Sequence, residues 1–374
     1  MKPQTAGCGD PGAGTGAVRG IRAGRFLTAL AGGQPDRVPL FDFLFQQPLY
    51  EALIGRRPAN YNGPDAVACA EALDHDGVWL PFGGFSGYQP RFLRENVYQD
   101  EWGTTYQKDP ASWPIDAPVD HPIRTRSDLK GYRLPDPTLP GREAEIRAAA
   151  EVNRGGLALL GGVQGPLTTA WLLMGYEHIC YNLRDDPALL TELFRMSNDF
   201  FMEAARRSVA AGCVGVWVSE DLGDSHRGFF KLDDWRRLLL PPLVELVDSI
   251  ADLGVPVLLH SCGNINAYLD DLAQTRIRSV HPLQRTARMD LRAVKERYGR
   301  RFCLIGNIDS SRTLPFGTPE EVGAEVREAI DIAAPGGGYV LASDHSLHDG
   351  IPVENIREMF RVGAEHGARV YRGE

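Results

Sequence analysis

The sequence has no uninterrupted apolar run of roughly eighteen residues, so no membrane span is expected. It also lacks an excess of positive charge. Forty Lys and Arg stand against 49 Asp and Glu, for a formal net charge of −9. That excludes a general binder of nucleic acid or anionic membrane, whose footprint is a basic patch. The cysteines Cys8, Cys69, Cys180, Cys213, Cys262 and Cys303 are scattered along the chain, unlike a disulfide framework. The first seventeen residues carry five Gly and two Pro, with no apolar run of the kind a signal peptide needs. Residues 1–17 are therefore expected to be a disordered tail, and the protein to be cytoplasmic. No internal repeat and no linker to a second domain is visible. No G-x-G-x-x-G follows the first apolar run, which argues against a dinucleotide-binding open sheet.

What is present is a series of short runs rich in Val, Leu and Ile, each bounded by turn residues. They are Val38–Leu44, Gly77–Phe82, Leu157–Val163, Gly215–Leu222, Pro256–Cys262, Arg278–Leu283, Phe302–Ile308 and Tyr339–Ser346. Continuous apolar runs of this length suit parallel strands covered on both faces. Helical spacing fills most intervals: Pro187–Ala211, Leu232–Leu253, Thr318–Ala333, and a last helix from Pro352 to near His366. Strands alternating with helices imply βαβ units. The expected fold is α/β, a single (β/α)8 TIM barrel over residues 18–374. It has an N-terminal extension and an irregular insertion, residues 83–155, between strands two and three. Gly336-Gly337-Gly338 reads as a tight turn into the last strand.

In a barrel the chemistry sits where the strands end. His260 and Cys262 stand two apart at one such end, so they face the same side. Imidazole plus thiolate is a zinc-type donor set, and His345, at the end of the last run, is the natural third donor. Set against this is a buried core histidine beside an inert thiol. Glu220 and Asp221 follow the fourth run as candidate acid/base groups or a labile metal ligand. Adjacent strand residues point to opposite sides, so one of the pair should face the site. Asp344 is a further candidate catalytic or orienting carboxylate. Asp42, Gln164, Gln284, Asn307 and Asp309 are candidate substrate-binding groups at other strand ends. His281 and His348 read as structural or surface histidines.

Several of these stretches together resemble the uroporphyrinogen decarboxylase superfamily. They are Pro35-Asp36-Arg37-Val38-Pro39, Gln164-Gly165-Pro166-Leu167 with Gly175-Tyr176-Glu177, His260-Ser261-Cys262-Gly263-Asn264, Gly306-Asn307-Ile308-Asp309 and Pro352-Val353-Glu354-Asn355-Ile356. The resemblance covers roughly residues 22–374. The porphyrin decarboxylases of this superfamily carry an Arg-rich loop after the first strand. Here that place reads Phe41-Asp42-Phe43-Leu44-Phe45-Gln46-Gln47, without arginine. The chain is more similar to the cobalamin-dependent methyltransferases, including the methylcobalamin:coenzyme M type. That branch holds zinc with an H-x-C pair and a later cysteine, which falls here at His345.

The resemblance implies Zn2+ held by His260, Cys262 and His345, a small-molecule methyl donor or acceptor, and a corrinoid (cobalamin) carried by a partner protein. No corrinoid domain is expected within this chain, and a homodimer is the expected assembly. A single thiolate would leave the zinc site with one positive charge, where two thiolates leave none. Such a site should deprotonate a bound thiol or polarise an ether oxygen more readily. Three functions compete: a zinc methyltransferase acting in either direction, a cofactor-free decarboxylase of a small carboxylic acid, and a binding barrel without catalysis. Metal analysis separates the first from the other two. A decarboxylase needs a cation for its substrate's carboxylate and a proton donor for the product carbon, so the composition of the cavity separates the second from the third.

Overall fold

A computed structural model describes residues 20–373 of the chain. Residues 1–19 and 374 lie outside the described residues, and with them the expected tail at 1–17. Among the described residues eleven strands are formed: β1 Gly77–Pro81, β2 Arg91–Arg94, β3 Val97–Gln99, β4 Thr105–Gln107, β5 Ala117–Asp120, β6 Ala158–Gln164, β7 Gly215–Ser219, β8 Val257–His260, β9 Ile277–His281, β10 Cys303–Ile308 and β11 Tyr339–Ser343. β1 and β6 to β11 make one parallel sheet in sequential order. The order, with helices between the strands, is that of a TIM-barrel-like α/β fold.

The segment expected as the first strand lies between β1 and β11 without becoming a continuous strand. Phe41 N–H donates to the Leu341 carbonyl at 3.0 Å, Leu341 N–H to Pro39 O at 2.9 Å, and Asp76 N–H to Leu40 O at 2.8 Å. Only isolated bridges form, at Leu40 and Leu44. The reason is local. Pro39 has no N–H for a ladder, and the Asp42 carboxylate takes over the next positions, accepting from Ser343 N–H at 2.7 Å and Ser343 Oγ at 2.9 Å.

The insertion is more ordered than its composition suggests. β2 to β5 form a four-stranded antiparallel sheet, and the helix Ala144–Val152 then leads into β6. The expected helix over Pro187–Ala211 is two helices, Pro187–Met196 and Asn198–Ala210, joined at Ser197. The one expected over Leu232–Leu253 contains a π turn at Trp235–Leu239. Pro241 and Pro242 have no N–H to donate, so the α ladder restarts at Leu240 with both prolines in its first turn. Pro319–Ala333 begins as expected, with Thr318 and Glu321 forming a capping box. The last helix runs from Val353 to Arg372.

Candidate metal centre and cavity

β8 carries His260 at its end, in register with Ser219 of β7 on one side and His281 of β9 on the other. Cys262 follows in the loop. That loop is held by Gly263 N–H donating to Gln284 Oε1 at 2.8 Å and Asn264 N–H donating to Asp224 O at 2.7 Å. Gly263 sits at φ +78°, and a Cβ there would come within 2.1 Å of the Gly223 carbonyl oxygen. The Cys262 thiol is thus held by a close backbone crossing that only glycine allows.

Asp221 reaches this pair. Its Oδ1 accepts from the Cys262 thiol and from Cys262 N–H, both at 3.2 Å, and lies 3.6 Å from His260 Nε2. The ligand atoms of Asp221, His260 and Cys262 all fall within 4.8 Å of one another. Burial, with the adjacent carboxylate, raises the Cys262 thiol well above its ordinary pKa. Burial lowers His260 to about 4. Before any cation enters, the site holds a neutral thiol and a neutral imidazole.

His281 is structural, as expected, but with a specific task. Its Nδ1 lies 2.8 Å from His260 Nδ1, leaving His260 Nε2 directed at Asp221. A histidine that ligates through one nitrogen usually has the other tied to a neighbour in this way, which fixes ring orientation.

Three of the expected site residues are placed differently from this trio. His345 stands outside the compact trio: its ring centroid is 6.0 Å from that of His260, and its Nδ1 meets Ser346 Oγ at 2.9 Å. It does line the cavity beside His260. Glu220 turns away from the mouth. Its two carboxylate oxygens accept from Leu167 N–H and Thr168 N–H, each at 2.9 Å, and so cap the helix Pro166–Met174. Burial pushes its pKa up to about 8, against the pull of those two N–H groups. A Cβ at Gly165 would lie 2.4 Å from Glu220 Oε2, so the glycine is what admits the carboxylate. Asp344 is buried and satisfied, accepting from Ser310 N–H, Ser310 Oγ and Arg285 N–H at 2.9, 2.7 and 3.0 Å.

The candidate substrate-binding groups divide. Gln164 lines the cavity. Asp42 is buried, its pKa raised to about 7 by burial, and accepts from Ser343 N–H, Ser343 Oγ and Phe43 N–H. Gln284 holds the Cys262 loop, as above. Asn307 donates to Leu283 O at 2.9 Å. Asp309 Oδ1 accepts from Ser311 N–H and Arg312 N–H, each at 2.8 Å, and caps a turn. Four of the five therefore serve the scaffold, because loops at strand ends have backbone groups to satisfy.

Over the trio opens a cavity of ≈ 250 Å³, to which Asp221, His260 and His345 contribute. Its walls were missed in the sequence. Phe43 and Phe45 stack at 5.2 Å, and Trp79 and Phe85 pack edge-on against Phe45 at 6.0 and 5.2 Å. Phe43 also abuts His260, with centroids 5.4 Å apart. The signal was the alternation Phe41, Phe43, Phe45 in the place where the Arg-rich loop was sought. Among the described residues, no Lys or Arg lines this cavity.

Comparisons with known proteins place this geometry. The uroporphyrinogen decarboxylase of Anaeromyxobacter dehalogenans is 27% identical over 256 residues, covering 66% of this chain and 70% of that one. The methylcobamide:CoM methyltransferase MtaA of Methanosarcina barkeri is 27% identical over 364 residues, covering 92% of this chain and 98% of that one. A solved methyltransferase from Methanosarcina mazei superposes with a TM-score of 0.72 at 22% identity, over 92% of this chain and 98% of that one, which shows a shared fold. The family model described as uroporphyrinogen decarboxylase (URO-D) matches residues 114–366, and the chain belongs to that family.

Proposed function

We propose that this chain is a zinc-dependent methyltransferase that works with a separate corrinoid protein. The observation that carries the proposal is the convergence of Asp221, His260 and Cys262, two of which, Asp221 and His260, line a cavity that no Lys or Arg lines among the described residues. One imidazole, one thiol and one carboxylate fit zinc by donor chemistry, and three protein donors are the number that leaves a position for substrate. The full-length similarity to a methylcobamide:CoM methyltransferase supports the same reading. A decarboxylase would have no cation in this lining to hold its substrate's carboxylate.

Bound there, zinc would supply Lewis acidity, lowering the pKa of a thiol or polarising an ether oxygen. The chain's own residues do the rest. Cys262 would give up its proton when a cation binds, and Asp221, already its hydrogen-bond acceptor, is placed to pass that proton on to solvent and remain a carboxylate. His281 holds His260 so that Nε2 remains free. With Asp221 in the set, the site carries no net charge, where His260, Cys262 and His345 would have left one positive charge. Asp221 is also the most exposed of the trio's carboxylate and imidazole donors, its side chain 30% accessible against 11% for His260. If zinc is held here, Asp221 is the donor most open to the cavity, with His345 beside it in the lining.

The test is metal analysis of protein purified without chelators or a histidine tag. About one zinc per chain is expected, and Cys262→Ser should remove most of it, because a neutral hydroxyl replaces a thiolate poorly. A wild-type protein without stoichiometric metal would end this reading.

A further inference from the structure

The cavity above the trio has a composition that selects among substrates. Its volume, ≈ 250 Å³, decides size first. A cavity of about 150 Å³ holds one benzene ring. This one has room for a single ring with small substituents.

Its walls decide shape. Phe43 and Phe45 lie parallel within 3°, and Trp79 and Phe85 meet each other edge-on at 5.6 Å. Offset and edge-on contacts between rings are favourable beyond the area they bury. A flat guest finds such contacts here on more than one side.

Its electrostatics decide charge. The acidic groups in the lining are Asp100, Glu101 and Asp221. Glu101 is paired with Arg142, whose guanidinium also lies 4.6 Å from the Tyr88 ring centroid. Arg142 lines the adjoining cavity instead, across residues 84–87, and so does Lys108. A carboxylate or sulfonate on the guest would be buried without a partner, which costs several kcal/mol.

We infer that the substrate is a neutral, single-ring aromatic compound whose methylated or methyl-accepting heteroatom faces Asp221 and His260. This rests on the methyltransferase reading for its chemistry, but the recognition itself is testable without it.

The test measures binding to the whole chain in its metal-free form, so that no metal charge attracts anions. The probes are anisole, 4-methoxybenzoate and 2-mercaptoethanesulfonate, read by calorimetry and by quenching of tryptophan fluorescence. Anisole should bind at least about tenfold more tightly than either anion, since an unpaired buried charge costs more than the 1.4 kcal/mol a tenfold ratio represents. Phe85→Arg should bring 4-methoxybenzoate up at least about tenfold, by placing a cation in the wall. Phe45→Ala, checked for folding by circular dichroism, should weaken anisole by a similar factor.

If 4-methoxybenzoate binds wild type as tightly as anisole, or anisole does not saturate the site up to its solubility, the inference is wrong. Methyl transfer is assayed separately with zinc-loaded enzyme, using a Co(I) corrinoid as methyl acceptor and a methyl-Co(III) corrinoid as methyl donor. Selective anisole binding without methyl transfer to or from any neutral aromatic would sink the function and leave the recognition standing. Transfer confined to anionic partners would do the reverse.

Discussion

The two ends of the barrel treat charge in opposite ways. At the end where strands begin, Asp76 precedes β1 with its side chain fully buried. It accepts from Arg25, from Arg37 at 3.1 Å and from Leu40 N–H at 2.8 Å. Arg25 also binds Asp36 at 2.6 and 2.7 Å. Every charge there is answered by an opposite one. At the end where strands finish, Asp221 meets an imidazole and a thiol, and no guanidinium or ammonium enters the lining among the described residues. The first arrangement is saturated and gains nothing from a ligand. The second is left short of positive charge, which a divalent cation would supply. In barrels this division is general: the lower face holds the fold and the upper face does chemistry.

Breaking the lower network should give the largest effect. Asp76→Ala leaves Arg25 and Arg37, each with a side chain only 9% accessible, without their common partner. Removing one member of a buried pair costs about 3–5 kcal/mol. Urea unfolding should show that loss, while the protein that remains folded keeps its metal. A loss below about 1 kcal/mol would mean that the network is solvated like a surface pair.

Asp221→Asn tests the upper end. Its side chain is partly exposed and bridges no helix or strand ladder, so unfolding should shift by no more than about 0.5 kcal/mol. Methyl transfer should fall by roughly 10²–10⁴ if Asp221 accepts the proton. Turnover equal to wild type on an identified substrate would return Asp221 to the solvated loop.

Much of this contrast was legible in the sequence. Barrel strands are buried on both faces, so they read as continuous apolar runs, and those for β1 and β6 to β11 stand within a few residues of their expected places. Their C-terminal limits were read too long at β7, β8 and β11, because apolar residues such as Leu222 continue into the loops and pack there. The antiparallel sheet of the insertion was not legible. Its strands are three or four residues long and mix exposed with buried positions, which leaves little periodicity to detect. His260 and Cys262 were legible from their spacing. The roles of Glu220, Asp344, Asn307 and Asp309 were not, since a polar residue at a strand end serves a backbone N–H as readily as a substrate. Which of the two acids faced the cavity was also hidden, because β7 ends at Ser219 and alternation carries no further.

The smallest effect in this comparison, and the sharpest, belongs to Glu220. It is the neighbour of Asp221 and carries the same chemical group, yet it behaves like a residue of the lower end: buried, fully answered and directed into the scaffold. In Glu220→Gln one carboxylate oxygen becomes an amide nitrogen, which cannot accept. Either Leu167 N–H or Thr168 N–H then loses its partner inside the protein. An unsatisfied buried donor costs about 1–3 kcal/mol, so the unfolding midpoint should fall accordingly. Metal content and turnover of the folded fraction should stay within a factor of about three, far less than the change a proton-transfer group would give. Gly165→Ala disturbs the same contact from the other side, since its Cβ would crowd Glu220 Oε2. The two substitutions should therefore cost less together than the sum of their separate effects, as changes at one shared contact do. Additive losses would show that Glu220 and Gly165 stabilise the protein independently. A Glu220→Gln protein that keeps its stability but loses turnover would place the working carboxylate one residue earlier than Asp221.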